Sequence, residues 1–185
     1  PGTYSLLSTS ADEEVARDFI LFGQPDVTIV VADATRLERN LNLVLQVLAI
    51  TDRVVVAVNL VDEARRHGMT IDQRTLTRDL GVPVVPMAAR RGEGMPELLD
   101  AIARIASGTL KSRPRQVALN DPALEQAVAH LTPQIIAAFP NLPNARWVAL
   151  RLLDGDASVI RAIHEGTLGD LSRGLALTPV AAGGA

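Results

Sequence analysis

The chain has 185 residues, 48% of them hydrophobic and 21% charged, which is long and apolar enough to bury a core of its own. Its net charge of −3 gives no electrostatic reason to expect nucleic acid or an anionic membrane surface as partner. There is no cysteine, so disulfides, thiolate metal sites and a cysteine nucleophile are excluded; with 3% aromatic residues, the core must come from Val, Leu, Ile and Ala, as in layered α/β proteins.

The chain opens with PGTYSL and lacks an initiator Met, so it is expected to start partway through a larger protein. No signal peptide is visible, and the apolar stretches are broken by charge, as at Asp52 and Arg53, so none can span a bilayer. The acidic cluster in STSADEEVARD is read as capping a helix and not as a metal site. Residues 26 to 33, DVTIVVAD, read as a continuously apolar strand buried on both faces. TRLERNLNLVLQVLAI follows, with Leu37, Leu41, Val44, Leu45 and Leu48 on helical spacing.

A second strand is expected at 53 to 59, then a short helix to about His67 and a helical piece around IDQRTLTRDLG, which Gly81 stops. VPVVPM is the third strand. RGEGMPELLDAIARIA reads as a turn and a helix, with Pro96 in its first turn and Leu98, Leu99, Ile102 and Ile105 facing inward. Alternation of strand and helix implies parallel strands joined by right-handed crossovers. The basic, polar SGTLKSRPRQ marks the exit from this layer. Beyond it, Asp121 and Pro122 open a helix, and NARWVALRLLDGDASVIRAIHEG reads as two more helices hinged at Asp154, Gly155 and Asp156. The expected units are 1–110, a linker at 111–120, a strandless helical unit at 121–175 and a loose tail at 176–185.

In an open parallel sheet, ligands sit beyond the carboxyl ends of the strands. Three segments stand there: DAT from Asp33, NLVD from Asn59 to Asp62, and MAARRGEG from Met87. An ionised Asp offers two oxygens spaced for the adjacent ring N1 proton and exocyclic amine of guanine, whereas adenine has no such donor pair. Asp62 can therefore select guanine, and Asn59 can contact another edge of the base and tie neighbouring loops together. The bland reading of the same pair is a turn or a helix N-cap. Elsewhere the bland reading prevails. GEGMPE lacks the third Gly of a dinucleotide fingerprint, and DGD lacks the other ligands of a Ca²⁺ loop. His67, His130 and His164 have no paired ligand spacing, Trp147 is read as core, and the two ARR copies at 64–66 and 89–91 are read as solvated surface.

Taken together, PGTYSL, ARDFI, VVADATRLERNL, VNLVDEA and VPVVPMAARRGEG resemble, in order and spacing, a P-loop GTPase of the Ras-like class, and more closely the cytosolic domain of the ferrous iron transport protein B family. The likeness continues through RWVALRLLDGD. It implies an α/β fold, a partial Ras-like sheet followed by a small all-α domain. It implies that Pro1 and Gly2 belong to the switch II segment, that Asn59, Leu60, Val61 and Asp62 form the base-reading motif, and that Ala88, Ala89 and Arg90 form the next loop, whose backbone N–H groups approach the guanine carbonyl oxygen. The helical domain of this family packs on the GTPase core and favours the bound nucleotide.

What the resemblance further implies concerns the parent protein: a transporter of Fe(II) in the bacterial inner membrane, with this portion cytoplasmic, GTP or GDP bound with Mg²⁺, and nucleotide state coupled to the membrane-embedded part. Leu60 stands where the common GTPase motif has Lys, which favours the transporter family over generic GTPases. Ala88 stands where Ser is usual. Thr3 replaces the water-positioning Gln of Ras-like proteins, so slow hydrolysis is expected, and no catalytic residue is assigned. No Gly-x-x-x-x-Gly-Lys-Ser/Thr occurs in these residues, so the ligands of Mg²⁺ and the phosphate cradle are expected upstream. The strand at 26–33 is then expected to have a bare edge that favours self-association, including a homo-oligomer, and the 185 residues are expected to bind GTP weakly or not at all. The alternatives are a soluble ribosome-assembly GTPase and a non-catalytic interaction fragment.

Overall fold

In the computed structural model, which describes residues 5–6, 11–114, 121–140 and 142–169, the strands are β1 (Thr28–Asp33), β2 (Val54–Asn59) and β3 (Val84–Pro86). They form a parallel sheet in the order β1-β2-β3, with Asp33 level with Asn59 and Val56 level with Val84. The helices around the sheet are α1 (Ala11–Phe22), α2 (Leu37–Ile50), α3 (Val61–Arg66), α4 (Gln73–Leu80) and α5 (Met95–Ala106). A separate helical unit follows, made of α6 (Pro122–Ala138), α7 (Ala145–Leu153) and α8 (Ala157–His164). The fold class is the one expected: a parallel sheet with flanking helices, then an all-α unit.

Alternation along β2 divides the core. Val54, Val56 and Val58 point to the side covered by Val44, Val47 and Leu48 of α2. Val55 and Ala57 point the other way, onto Leu98, Ala101 and Ile105 of α5. All five are at most 1% exposed, and at roughly 1.5 kcal/mol or more per buried Val this strand is the anchor of the sheet.

Strand β1 differs from expectation. It is buried on one face only: Val30 and Ala32 are covered, while Ile29 is 43% and Val31 60% exposed. The apolar side chains that cover Val55 and Ala57 stop short of this outer strand, which among the described residues pairs on one edge only. Two helix positions depart as well. Leu45 and Leu99 are exposed, because the inward stripes run through Val44, Val47 and Leu48 in α2 and through Leu98, Ala101 and Ile105 in α5. Each exposed Leu lies about 100° around the helix from its neighbour in the stripe.

Gly81 ends α4 in the left-handed region, at φ 71°, and a Cβ there would strike the Arg113 carbonyl oxygen. The Arg113 N–H donates to the Gly81 carbonyl at 2.9 Å, so the segment leaving the sheet is laced to the end of α4.

The helical unit shares its core with the α2 side of the sheet through Val128, Ile135, Trp147, Val148 and Val159. One residue makes the joint. Asn144 Oδ1 accepts from the Trp147 N–H at 3.0 Å and so caps α7, while its Nδ2 donates to the carbonyls of Ala49 and Ile50, at 3.1 and 2.9 Å, at the end of α2. Asp121 and Asp156 cap α6 and α8 in the same manner. A second joint is ionic. Arg17 of α1, 3% exposed, donates to Asp18 at 2.8 Å and to Ser158 Oγ at 3.0 Å, lies 3.8 Å from Asp156, and sits 5.8 Å from the Trp147 ring centroid. Ahead of α1, the Leu6 N–H donates to Gln46 Oε1 of α2 at 2.6 Å, which fixes Ser5 and Leu6 against the same helix.

Candidate functional site

At the carboxyl end of β2 the chain turns sharply. Leu60 adopts φ 63° and ψ 29°, a left-handed conformation that costs a non-glycine residue about 1–2 kcal/mol. The Leu60 carbonyl accepts from Glu63 and Ala64 at 3.0 Å each, and the Val61 N–H donates to the Met87 carbonyl at 3.2 Å. The turn thus starts α3 at the sheet rim and holds it against the segment after β3. Val61 is buried, 3% exposed, as the peg of this arrangement.

Asn59 faces that segment. Its Oδ1 accepts from the Ala89 N–H at 3.1 Å, so the amide at the end of one strand holds the loop after the next. Within the loop, Ala88 donates to the Glu93 carbonyl at 3.0 Å and Arg91 to the Ala88 carbonyl at 2.8 Å. Of the backbone N–H groups at Ala88, Ala89 and Arg90, the first two are therefore satisfied inside the protein, and the Arg90 N–H meets no acceptor among the described residues. Gly94 closes the loop at φ 79°, where a Cβ would meet the Pro86 carbonyl oxygen and Met87 Cβ. Only glycine fits that close approach.

Asp62, with its side chain 18% exposed, stands beside this loop. Its Oδ2 takes two guanidinium groups, Arg91 Nε at 3.2 Å across the gap and Arg66 from its own helix at 3.4 Å. Its Oδ1 has no partner among the described residues. Arg65 and Glu93 make a second tie between α3 and the loop at 2.7 Å. On the other side of Asn59 lies a hollow of about 250 Å³ lined by Asp33, Arg36, Arg39, Asn40, Asn59 and Leu60. Asp33 is committed to its own turn, accepting from the Thr35 N–H and hydroxyl at 2.7 Å each.

The rim therefore brings Asn59, Leu60, Val61, Asp62, Ala88, Ala89 and Arg90 together from two strand ends. Pro1 and Gly2 lie outside the described residues. Chemically, an ionised carboxylate on a braced helix start is an acceptor for a pair of adjacent donors, and a free N–H nearby is a donor for a carbonyl. Sequence reasoning missed the cations. Arg65, Arg66 and Arg91 are exposed, as expected of solvated surface, but each is paired. The Asp62–Arg66 pair is signalled by its i, i+4 spacing. Nothing in the sequence signals Arg91, whose contact depends on how the loop folds back, or the left-handed Leu60.

The chain matches the family model described as ferrous iron transport protein B over residues 1–102, and the one described as the FeoB cytosolic helical domain over 121–175. It is 37% identical over 170 residues to an Fe(2+) transport protein A/Fe(2+) transporter FeoB fusion protein of Porphyromonas gingivalis (strain ATCC BAA-308 / W83), covering 89% of this chain and 20% of that protein. To the Fe(2+) transporter FeoB of Escherichia coli (strain K12) it is 38% identical over 162 residues, 84% of this chain and 20% of that one. It thus spans about a fifth of the length of these relatives. The crystal structure of the cytosolic domain of the T. maritima FeoB iron transporter in a GDP form superposes with a TM-score of 0.78 at 33% identity, over 89% of this chain and 64% of that one. These matches, which run across both the sheet and the helical unit, place the chain in the ferrous iron transport protein B family.

Proposed function

We propose that this chain is the guanine-reading portion of a GTP-binding cytosolic domain, residues 1–110, with a helical domain at 121–175, working within a longer Fe(II) transporter of the bacterial inner membrane. The observation that carries the reading is Asp62 at the braced end of β2, with Asn59 holding the adjoining loop by the Ala89 N–H. Asp62 accepts the ring N1 proton and the exocyclic amine of guanine, and the Arg90 N–H faces its carbonyl oxygen. Pro1 and Gly2 act in switch II, near the terminal phosphate. GTP with Mg²⁺ orders the switches of the whole protein and hydrolysis releases them, the change passing to the membrane-embedded part. None of the residues at this rim is assigned to Mg²⁺, and no catalytic base is assigned. The ribosome-assembly reading finds no support in the family match.

The test is Asp62→Asn in the full-length protein. Guanine binding weakens on the order of 10²-fold or more, because donors on the base lose their acceptor, and xanthine nucleotides gain. Unchanged preference for guanine over xanthine removes the base-reading role.

A further inference from the structure

We propose that the cleft at the amino ends of β1 and β2 is a docking site for a Lys- or Arg-bearing cytoplasmic segment of the membrane-embedded part of the same protein. This rests on the reading above that the chain works within a longer transporter, and it adds where that transporter touches the chain.

The cleft holds about 520 Å³, within the roughly 300–1,000 Å³ typical of ligand pockets. The six residues of β2, about 20 Å of strand, separate it from the rim that carries Asp62. Helices α1 and α2 both end on it. Pro25, Pro114 and Pro143 line it as well, and each fixes its own φ, so the wall is preformed and an entering segment has less to order.

Its chemistry is that of an acceptor. The last turn of a helix points unpaired carbonyls out of its end, with about half a negative charge. In α1 the Gly23 N–H donates to the Phe19 carbonyl, while the carbonyls of Ile20, Leu21 and Phe22 accept no hydrogen bond among the described residues. In α2 the Leu48 carbonyl is open in the same sense, and Ala49 and Ile50 each spend one acceptor position on Asn144. Asp52 adds a carboxylate that is exposed and has no partner among the described residues. Arg53, the cation among the described residues of the wall, is tied to Asp26 at 3.4 Å, which leaves Asp52 and the two helix ends to set the sign.

Ammonium and guanidinium groups carry donors only and match such a surface. The cytoplasmic loops of membrane proteins carry an excess of exactly these groups. Most of the length of a relative lies outside this chain, which spans about a fifth of it. Asn144 stands on the wall while its amide joins α2 to α7, so a segment seated here touches the sheet and the helical unit at their joint.

The experiment places the photo-crosslinker p-benzoylphenylalanine at Ala49, an exposed position on the wall, in the full-length protein in membranes, and maps adducts by mass spectrometry. Leu99 of α5, exposed on the other side of the sheet, is the control position. The expected adducts at Ala49 are Lys- or Arg-bearing loop peptides of the membrane-embedded part, absent at Leu99. Asp52→Lys lowers their yield about fivefold or more, because like charge then faces like charge, and Asp52→Glu retains it. Adducts confined to lipid or to the cytosolic part of a second copy, a yield no higher than at Leu99, or a yield indifferent to Asp52→Lys overturns the docking site and leaves the transporter reading standing. A full-length protein that fractionates away from membranes removes the transporter reading and the docking site together, whereas a guanine preference kept by Asp62→Asn removes base reading alone.

Discussion

Replacing Arg17 by Met tests the ionic joint between α1 and the helical unit. Met keeps much of the volume, so the change isolates charge and hydrogen bonding. Arg17 is the buried cation among the described residues, and its loss leaves Asp156, with its side chain 8% exposed, without the guanidinium 3.8 Å away. It also leaves Asp18, 42% exposed, without its 2.8 Å partner, and Ser158 Oγ without a donor. Removing one member of a fully buried ion pair costs about 3–5 kcal/mol. Asp18 is partly solvated, and Asp156 keeps its bonds from Ser158 and Val159, so a value near the bottom of that range, about 3 kcal/mol, is expected.

The pH dependence of the loss has a definite sign. Burial pushes the Asp18 carboxyl above 3.8, against the lowering charge and hydrogen bond of Arg17. A raised folded value means that ionising Asp18 costs stability as the pH rises through it, and without Arg17 that cost grows. The deficit of Arg17→Met is therefore smallest in acid and largest at neutral pH. Urea unfolding followed by far-UV circular dichroism and by the fluorescence of Trp147, the single Trp and a neighbour of Arg17, measures both. A deficit under about 1 kcal/mol at neutral pH, the level of a surface pair, would refute the account.

Other substitutions probe the rim and the edge. Leu60→Val puts a β-branched side chain at φ 63° and is expected to lose about 1–2 kcal/mol in the same urea assay. Gly94→Ala strains a positive φ and drives a Cβ into the Pro86 backbone, so a loss of about 2 kcal/mol or more is expected, read as a lowered thermal midpoint. Val31→Lys, on the exposed face of β1, leaves the unfolding midpoint nearly unchanged and lowers self-association in light scattering if that strand is the contact. For Asp156, burial works upward, but bonds from Ser158 and Val159 and the Arg17 charge hold the carboxyl below 3.8. It thus contributes stability above that value, lost as the pH falls through the lowered one. Asp156→Asn should flatten the melting temperature below about pH 4.

Hydrophobic period was enough to find the three strands and most helices, because β2 and the stripes of α2 and α5 are written in apolar residues at spacings with one good solution. It misplaced Val31 and Ile29, since an apolar run does not say how many helices will cover it, and Leu45 and Leu99, since a neighbouring Leu can sit just outside a stripe. Caps were legible at Asp121 and Gly81, where one side chain or one missing Cβ decides the outcome locally. At the site, Asn59 and Asp62 could be picked out because they stand where a buried apolar strand ends. What remained hidden depends on distant pieces meeting: Arg91 folding back on Asp62, Arg17 finding Ser158, and the strained Leu60 that only the crowded rim explains.

Asn144 gives the molecule a lever. Helix α2 starts beside the hollow at Asp33 and Arg36 and, at 14 residues and 1.5 Å each, ends about 21 Å away, where a single amide grips its last carbonyls and caps α7. A small tilt of the rod at the rim therefore becomes a larger sideways travel at its far tip, and α7 has to follow. Cutting that grip with Asn144→Ala should let the two ends move independently, visible as a widened distance distribution between spin labels on α2 and α7.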